Sequence, residues 1–211
     1  MGLEAVSGTD ARRLLLGPDS PVRSHYEDLA GRLLSLGGIR SLVVTSPEPG
    51  AGRTSVCVGL AGAVAGMGRR VGLVDCNLGD PRLHRMLGEP NFVGLTSGLE
   101  GDMPLEHYGY EVAPGLLVVP AGPVPPDPVS RLEHEKFVAA VRSLEQGRDL
   151  VIVDGPVAGG VLSSPNLSEG FDGVLLVVHA SRTPKSLARE TIDDLLEAGT
   201  NLLGVVLNGC T

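Results

Sequence analysis

The stretch Ile39-Arg-Ser-Leu-Val-Val-Thr-Ser-Pro-Glu-Pro-Gly-Ala-Gly-Arg-Thr-Ser55 decides the architecture. Its first half, residues 39–45, is a short and largely apolar run, the pattern of a strand buried in a sheet. After the turn residues around Gly50-Ala51-Gly52, residues 54–67 are rich in Ala, Val and Leu and read as a helix. A strand, a glycine-bearing turn and a helix in immediate succession direct backbone N–H groups at an anion over the helix N-terminus. Scored against G-x-x-x-x-G-K-[ST], the segment departs twice, with Pro47 at the first glycine and Arg53 at the lysine. Pro49, Gly50, Ala51, Gly52, Arg53, Thr54 and Ser55 are therefore candidate phosphate-binding residues, and the Thr54 hydroxyl is placed to ligate Mg²⁺. Arg53 keeps the positive charge of the missing lysine but not its shape: a guanidinium is wide and planar, where an ammonium is a compact point charge.

Working outward, strands are expected at residues 71–74, ending in Asp75, and at 116–119. Further strands are expected at 150–153, ending in Asp154, at 174–178 and at 203–207. Helical spacing appears at 26–36, stopped by Gly37-Gly38, and at 184–198. A third helix, 130–146, turns Leu132, Phe137, Ala140, Val141 and Leu144 inward. Residues 78–102 read as loop and short helix, and residues 1–20, which mix Gly, Pro and charge, as an N-terminal arm ahead of one domain over 21–211. Strands alternating with helices imply right-handed crossovers. The fold class expected is α/β, a three-layer P-loop NTPase-like fold around a mainly parallel central sheet. Ligands of such sheets bind where strand C-termini meet helix N-termini. Residues 50–54, Asp75 and Asp154 all fall at that edge.

Composition narrows the classes. The chain has 211 residues, 42% hydrophobic, with a formal net charge of −8 and no basic block, which argues against nucleic acid and anionic membrane surfaces as partners. Cys57, Cys76 and Cys210 are far apart and the five histidines are scattered, so the thiols read as reduced core residues and no metal cluster is indicated. No apolar run approaches 18 residues, and the N-terminus lacks a basic-then-apolar leader. The expected location is cytoplasmic, at the inner face of the membrane only through a partner.

Taken in order, the segments resemble one family, the bacterial tyrosine kinases of capsule and exopolysaccharide synthesis, relatives of the chromosome-partitioning and septum-site ATPases. Pro49-Gly-Ala-Gly52 is close to that family's Pro-Gly-x-Gly-Lys-[Ser/Thr] loop. Val71-Gly-Leu-Val-Asp-Cys-Asn-Leu-Gly-Asp-Pro-Arg-Leu-His-Arg85 is similar to its second Walker motif. Gly94 to Gly101 resembles the short helix that follows, and the proline-dense residues 120–128 resemble its Gly-x-x-Pro-Pro-Asn-Pro turn. Residues 149–156 resemble the Walker B strand, and residues 172–178 and 203–208 the closing strands. The resemblance spans about residues 14–208. It implies an ATP or ADP site with Mg²⁺, in which Asp75 and Asp154 are the catalytic acids and Thr54, Asp75, Asn77 and Asp154 surround the metal. It places Asn208 near the base.

The departures fall on the chemistry. Arg53 replaces the loop lysine and Asn77 the second acid; Ser163 and Gly79 stand where the family carries an aspartate and an arginine. The helical Glu-x-x-Arg-x-x-Arg motif of ring assembly reads here as Ser24, Glu27 and Ala30, and the C-terminal tyrosine cluster is missing. The expectation is a degenerate, pseudokinase-like member that binds nucleotide and docks on a membrane-embedded polysaccharide co-polymerase or activator, as a monomer or small oligomer and not a ring. The alternatives are an active ATP-dependent protein-tyrosine autokinase and, with Glu48 in place of an early loop lysine, a partitioning-type ATPase. Arg82, His84 and Arg85 read either as surface loop or as groups near a nucleotide, and Met67 and Met86 as packing residues.

Overall fold

The computed structural model describes residues 8–17, 19–124, 126–127, 135–158 and 170–210. A seven-stranded sheet runs through its centre in the order β3-β4-β2-β5-β1-β6-β7. These strands are β1 (Ser41–Thr45), β2 (Val71–Asp75), β3 (Tyr110–Ala113), β4 (Leu116–Val119), β5 (Leu150–Asp154), β6 (Gly173–His179) and β7 (Leu202–Asn208). Every neighbouring pair is parallel except β3 with β4, which is antiparallel. β1, β2 and β5 are buried along their whole length, as parallel strands covered on both faces must be.

Alternation sorts the side chains into two cores. Leu42 and Val44 of β1, Leu73 of β2 and Ile152 of β5 face a layer that contains α2 (Arg23–Ser35) and α3 (Arg53–Gly66). Val43, Val74, Val151 and Val153 face the other layer, with α5 (Leu95–Glu100), α6 (Glu135–Ser143) and α7 (Lys185–Glu197). There Phe137 meets Phe171 edge-on, ring centres 6.0 Å apart. The strand β1 is pinned at its start by Asp172, whose Oδ2 accepts from the backbone N–H groups of Arg40 and Ser41 at 2.7 and 2.9 Å. Because a strand repeats every two residues, Asp75 follows Val71 and Leu73, and Asp154 follows Leu150 and Ile152, onto the α3 face.

The parallel, three-layer expectation holds. The strand β3 is a finding that the sequence reading lacked: four residues with mixed burial give too short a pattern to read. Within residues 78–102 lie two short helices, α4 (Leu83–Leu87) and α5. The stretch read as an arm carries α1 (Gly8–Leu16), which lies over α3 and α4. Arg12 fastens it, with Nη1 donating to Glu89 Oε1 at 2.9 Å and Nη2 to the Val112 carbonyl at 2.6 Å. The helix expected from residue 130 is described from Glu135 and ends in a 3₁₀ turn, Leu144–Gln146; Leu132 lies outside the described residues. Met86 packs against the core, but Met67 does not: it caps α3 at 42% exposure. Cys57 and Cys76 are buried thiols, whereas Cys210 is exposed.

Candidate nucleotide site

The P-loop leaves β1 at Thr45 and returns into α3 at Arg53. Gly52 is the residue before the helix and has φ +94, a left-handed conformation that a side chain disfavours. No side chain caps α3, so its first N–H groups are left for an anion or for water. The loop is fixed from below: the Ala158 N–H donates to the Ser46 carbonyl at 2.8 Å, and Thr45 Oγ1 donates to the Pro156 carbonyl at 2.8 Å.

Arg53 and Thr54 are each only 8% exposed, so both side chains belong to the interior of the loop. The Arg53 guanidinium turns back under the loop, with Nη1 donating to Ser46 Oγ at 2.7 Å. Ser46 Oγ in turn donates to the Glu48 carbonyl at 2.6 Å. The Arg53 Nε is buried without a partner among the described residues. Burial lowers the Arg53 pKa, and the negative charge of Asp154 works against that fall.

Asp75 and Asp154 are both fully buried and stand directly opposite each other at the ends of β2 and β5. Neighbouring strands lie about 4.8 Å apart, so the two carboxyl groups leave adjacent points of the sheet. Both pKa values are pushed up. For Asp75 burial is the main cause and the charge of Asp154 the next; for Asp154 burial dominates, opposed by the Thr54 hydroxyl, the Arg53 guanidinium and the Cys57 thiol.

The two acids differ in their partners. Asp75 Oδ2 accepts from the N–H groups of Arg82 and Leu83, each at 3.1 Å, and Oδ1 from that of Asn77 at 3.2 Å. It thereby holds the start of α4 in place. Neither oxygen of Asp154 accepts a backbone N–H among the described residues, although both are buried; the Thr54 hydroxyl and the Cys57 thiol lie beside it without closing a well-formed hydrogen bond. A buried carboxylate in that condition is what a cation or ordered water would satisfy. With the Thr54 hydroxyl beside it, this donor set fits Mg²⁺, a cation that takes hard oxygen ligands and retains waters. Asn77 lies further out, its Nδ2 donating to the Asp80 carbonyl at 2.8 Å.

Beside the helix N-terminus opens a cleft of about 680 Å³, lined by Tyr26, Ser55, Arg82, Arg85, Met86 and Asn208 among others. This puts Arg82 and Arg85 at the same cleft as the P-loop. Asn208 does touch the loop, with Nδ2 donating to the Ala51 carbonyl at 2.9 Å. Arg182, which the sequence reading did not single out, donates from Nη2 to the Gly50 carbonyl at 2.8 Å. One arginine in a turn more than a hundred residues downstream carries no local signal; only the adjacency of β1 and β6 brings it there.

Of the remaining sequence candidates, Gly79 lies in the β2–α4 loop and Ser163 falls outside the described residues. On α2, Ser24 is exposed, Glu27 pairs with Arg23 at 2.7 Å and Ala30 is fully buried in the core.

No protein-family model matches the chain. It is 32% identical over 202 residues to a putative tyrosine-protein kinase, EpsB, of Ralstonia nicotianae; the match takes in 94% of this chain and 26% of that protein. The chain thus spans about a quarter of that relative's length. It is 30% identical over 172 residues to the tyrosine-protein kinase CpsD of Streptococcus agalactiae, covering 79% of this chain and 73% of CpsD. Among solved structures, the chimerical protein CapA2B2 superposes with a TM-score of 0.86 at 26% identity, over 95% of this chain and 90% of that one. The septum site-determining protein MinD of Pyrococcus horikoshii, complexed with Mg-ADP, superposes with a TM-score of 0.67 at 25% identity, over 80% and 69%. With the P-loop, the paired acids and these likenesses along most of its length, the chain belongs to the bacterial tyrosine-protein kinase family.

Proposed function

We infer that this domain is a nucleotide-holding, kinase-derived scaffold in which phosphoryl transfer is impaired. The observation that carries this reading is the Arg53 side chain, which is buried and bonded to Ser46 of its own loop. Phosphoryl transfer rests on positive charge placed at the γ-phosphate. A guanidinium spent on Ser46 is displaced from that task, while its charge still offsets the Asp75–Asp154 pair.

Binding has separate support. The uncapped amides of α3, with those of residues 50–54, would take the α- and β-phosphates of ADP or ATP. Ser55 and Asn208 border the adjoining cleft. Thr54 and Asp154 would hold Mg²⁺, with Asp75 and Asn77 behind them, and the ion would supply positive charge to offset that of the phosphates. Asp154 suits that role because it is buried, accepts no backbone N–H and has the Thr54 hydroxyl, the other candidate ligand, beside it. Asp75, already receiving three N–H groups, keeps the second Walker segment closed over the site.

The resemblance adds the setting. The domain would act in capsule or exopolysaccharide synthesis or export, docked at the inner face of the membrane on a polysaccharide co-polymerase or activator. None of the helices among the described residues is long and apolar enough to cross a membrane. Ala30 buried in the core and Glu27 paired within its own helix leave the ring-assembly motif without its two arginines, which supports a monomer or small oligomer.

Calorimetric titration of ADP and ATP, with and without Mg²⁺, tests the reading alongside incorporation of γ-phosphate into tyrosine. Binding at micromolar strength with no transfer supports it. Transfer at rates typical of kinases, on the order of 1 s⁻¹ or above, supports the second reading, an active tyrosine autokinase. The retention of Asp75 and Asp154 in register favours that alternative.

A further inference from the structure

The geometry points to Asn208 and Arg182 as positioning residues that set the direction of the P-loop amides, an assignment that rests on the nucleotide-binding reading of the same loop. The sheet order places β6 and β7 on one side of β1, so the turn after β6 and the end of β7 flank the loop that follows β1. From there two side chains take two successive loop carbonyls: Arg182 Nη2 the Gly50 oxygen at 2.8 Å, and Asn208 Nδ2 the Ala51 oxygen at 2.9 Å.

A trans peptide is planar, and its C=O and N–H point in opposite directions. Holding the Gly50 carbonyl toward Arg182 therefore turns the Ala51 N–H the other way, and holding the Ala51 carbonyl toward Asn208 does the same for the Gly52 N–H. These are the groups that a phosphate oxygen over the loop would meet. Without an outside donor to hold their carbonyls, glycine-flanked peptides rotate at little cost.

The two donors are themselves held. The Ala180 N–H donates to the Asn208 carbonyl at 2.8 Å, joining the β6 turn to the end of β7. Within that turn the His179 N–H donates to Thr183 Oγ1 and the Thr183 N–H to the His179 carbonyl, both at 3.0 Å. Asn208 also explains part of the need for glycine at position 52. A Cβ there would lie 2.0 Å from Asn208 Nδ2, so the amide reaches Ala51 only because no side chain intervenes. Asn208 thus acts on the polyphosphate part of the site through the loop, where the resemblance places it near the base.

The test compares wild type with Asn208→Asp, Asn208→Ala, Arg182→Ala and Arg182→Lys. Hydrogen exchange is read on the ligand-free protein, and binding with inorganic pyrophosphate and with ADP. The expected result is faster exchange across residues 50–54 in Asn208→Asp and Arg182→Ala, by about fivefold to tenfold for the loss of one hydrogen bond. Exchange in β1 and β5 stays unchanged, and Arg182→Lys recovers part of the protection. Affinity for pyrophosphate and ADP falls by the same factor in each variant. Unchanged exchange over residues 50–54 overturns the proposal, and so does a loss for ADP with none for pyrophosphate, which would make Asn208 a base contact. Should wild type bind neither ligand, the nucleotide reading falls while the exchange comparison still decides whether the two side chains set the loop.

Discussion

Asp75 and Asp154 stand opposite each other in register at the ends of β2 and β5, equally buried, yet one accepts three backbone N–H groups and the other none. The two acids of the site are therefore not equivalent. Asp75 is built into the fold of the second Walker segment, and Asp154 is the one left with capacity for a ligand.

This asymmetry predicts different costs. Asp75→Ala frees the amides of Arg82 and Leu83 at the start of α4 and of Asn77 just after β2, and is expected to destabilise the domain by about 2–3 kcal/mol, since one buried and two part-buried donors lose their acceptor. Asp154→Asn removes a buried charge that accepts no backbone N–H and is expected to leave the melting temperature unchanged or raise it, while abolishing the Mg²⁺ dependence of ADP binding. Thermal melts and calorimetry on both variants check this. A large stability loss in Asp154→Asn would show that the carboxylate is satisfied in the ligand-free protein.

The pH dependence follows from the same pair. Both carboxyls titrate above their ordinary range in the folded protein because of burial and, for Asp75, the charge of its neighbour. A group with a raised folded pKa contributes stability that is complete below its unfolded value, near 4, and lost as the pH climbs through the folded one. Without Mg²⁺ the melting temperature should fall as the pH rises above about 5, and Asp75→Asn should flatten the slope. Excess Mg²⁺ should reverse part of the loss on the alkaline side, where Asp154 is ionised.

At the loop, Arg53→Lys replaces a fork bonded to Ser46 by a flexible point charge. It is expected to tighten Mg-ATP binding by about tenfold, or 1.4 kcal/mol, and to raise any phosphotransfer. Titration calorimetry measures the first and a radiolabel assay the second. Unchanged affinity would mean that the Ser46 contact is not what withholds the charge.

Packing of α2 on α3 gives a fourth prediction. A Cβ at Gly59 would lie 2.3 Å from the Tyr26 ring, and the ring is rigid. Alanine favours an isolated helix over glycine by about 1 kcal/mol, but Gly59→Ala should nonetheless destabilise the domain by about 1–3 kcal/mol through overpacking. Chemical denaturation reads the sign. A stabilised variant would show that α2 shifts freely.

Much of this was legible in the residues. The apolar runs before Asp75 and Asp154, and the glycines of the loop, gave strands and a switch edge because buried parallel strands and positive-φ turns use few residue types. β3 was hidden by its shortness, and α1 by an N-terminal stretch whose helix owes its place to Arg12 reaching Glu89 and the Val112 carbonyl. Arg182 was unreadable for a different reason: its partner lies 132 residues away, and only strand order relates them. The direction in which Arg53 turns is likewise a tertiary matter, settled by Ser46 at the end of β1.

The joint between β6, β7 and the P-loop has a mechanical side. Asn208 ends β7 and holds Ala51, and the Ala180 N–H holds Asn208, so a pull on the last strand reaches the loop through one hydrogen bond and a pull on the β6 turn through two in series. From the opposite flank, Leu16 of α1 lies against Gly62 of the helix that the loop feeds. The first helix and the last strand thus bear on one short lever, and a tether attached near either could tune the grip on a nucleotide without entering the cleft.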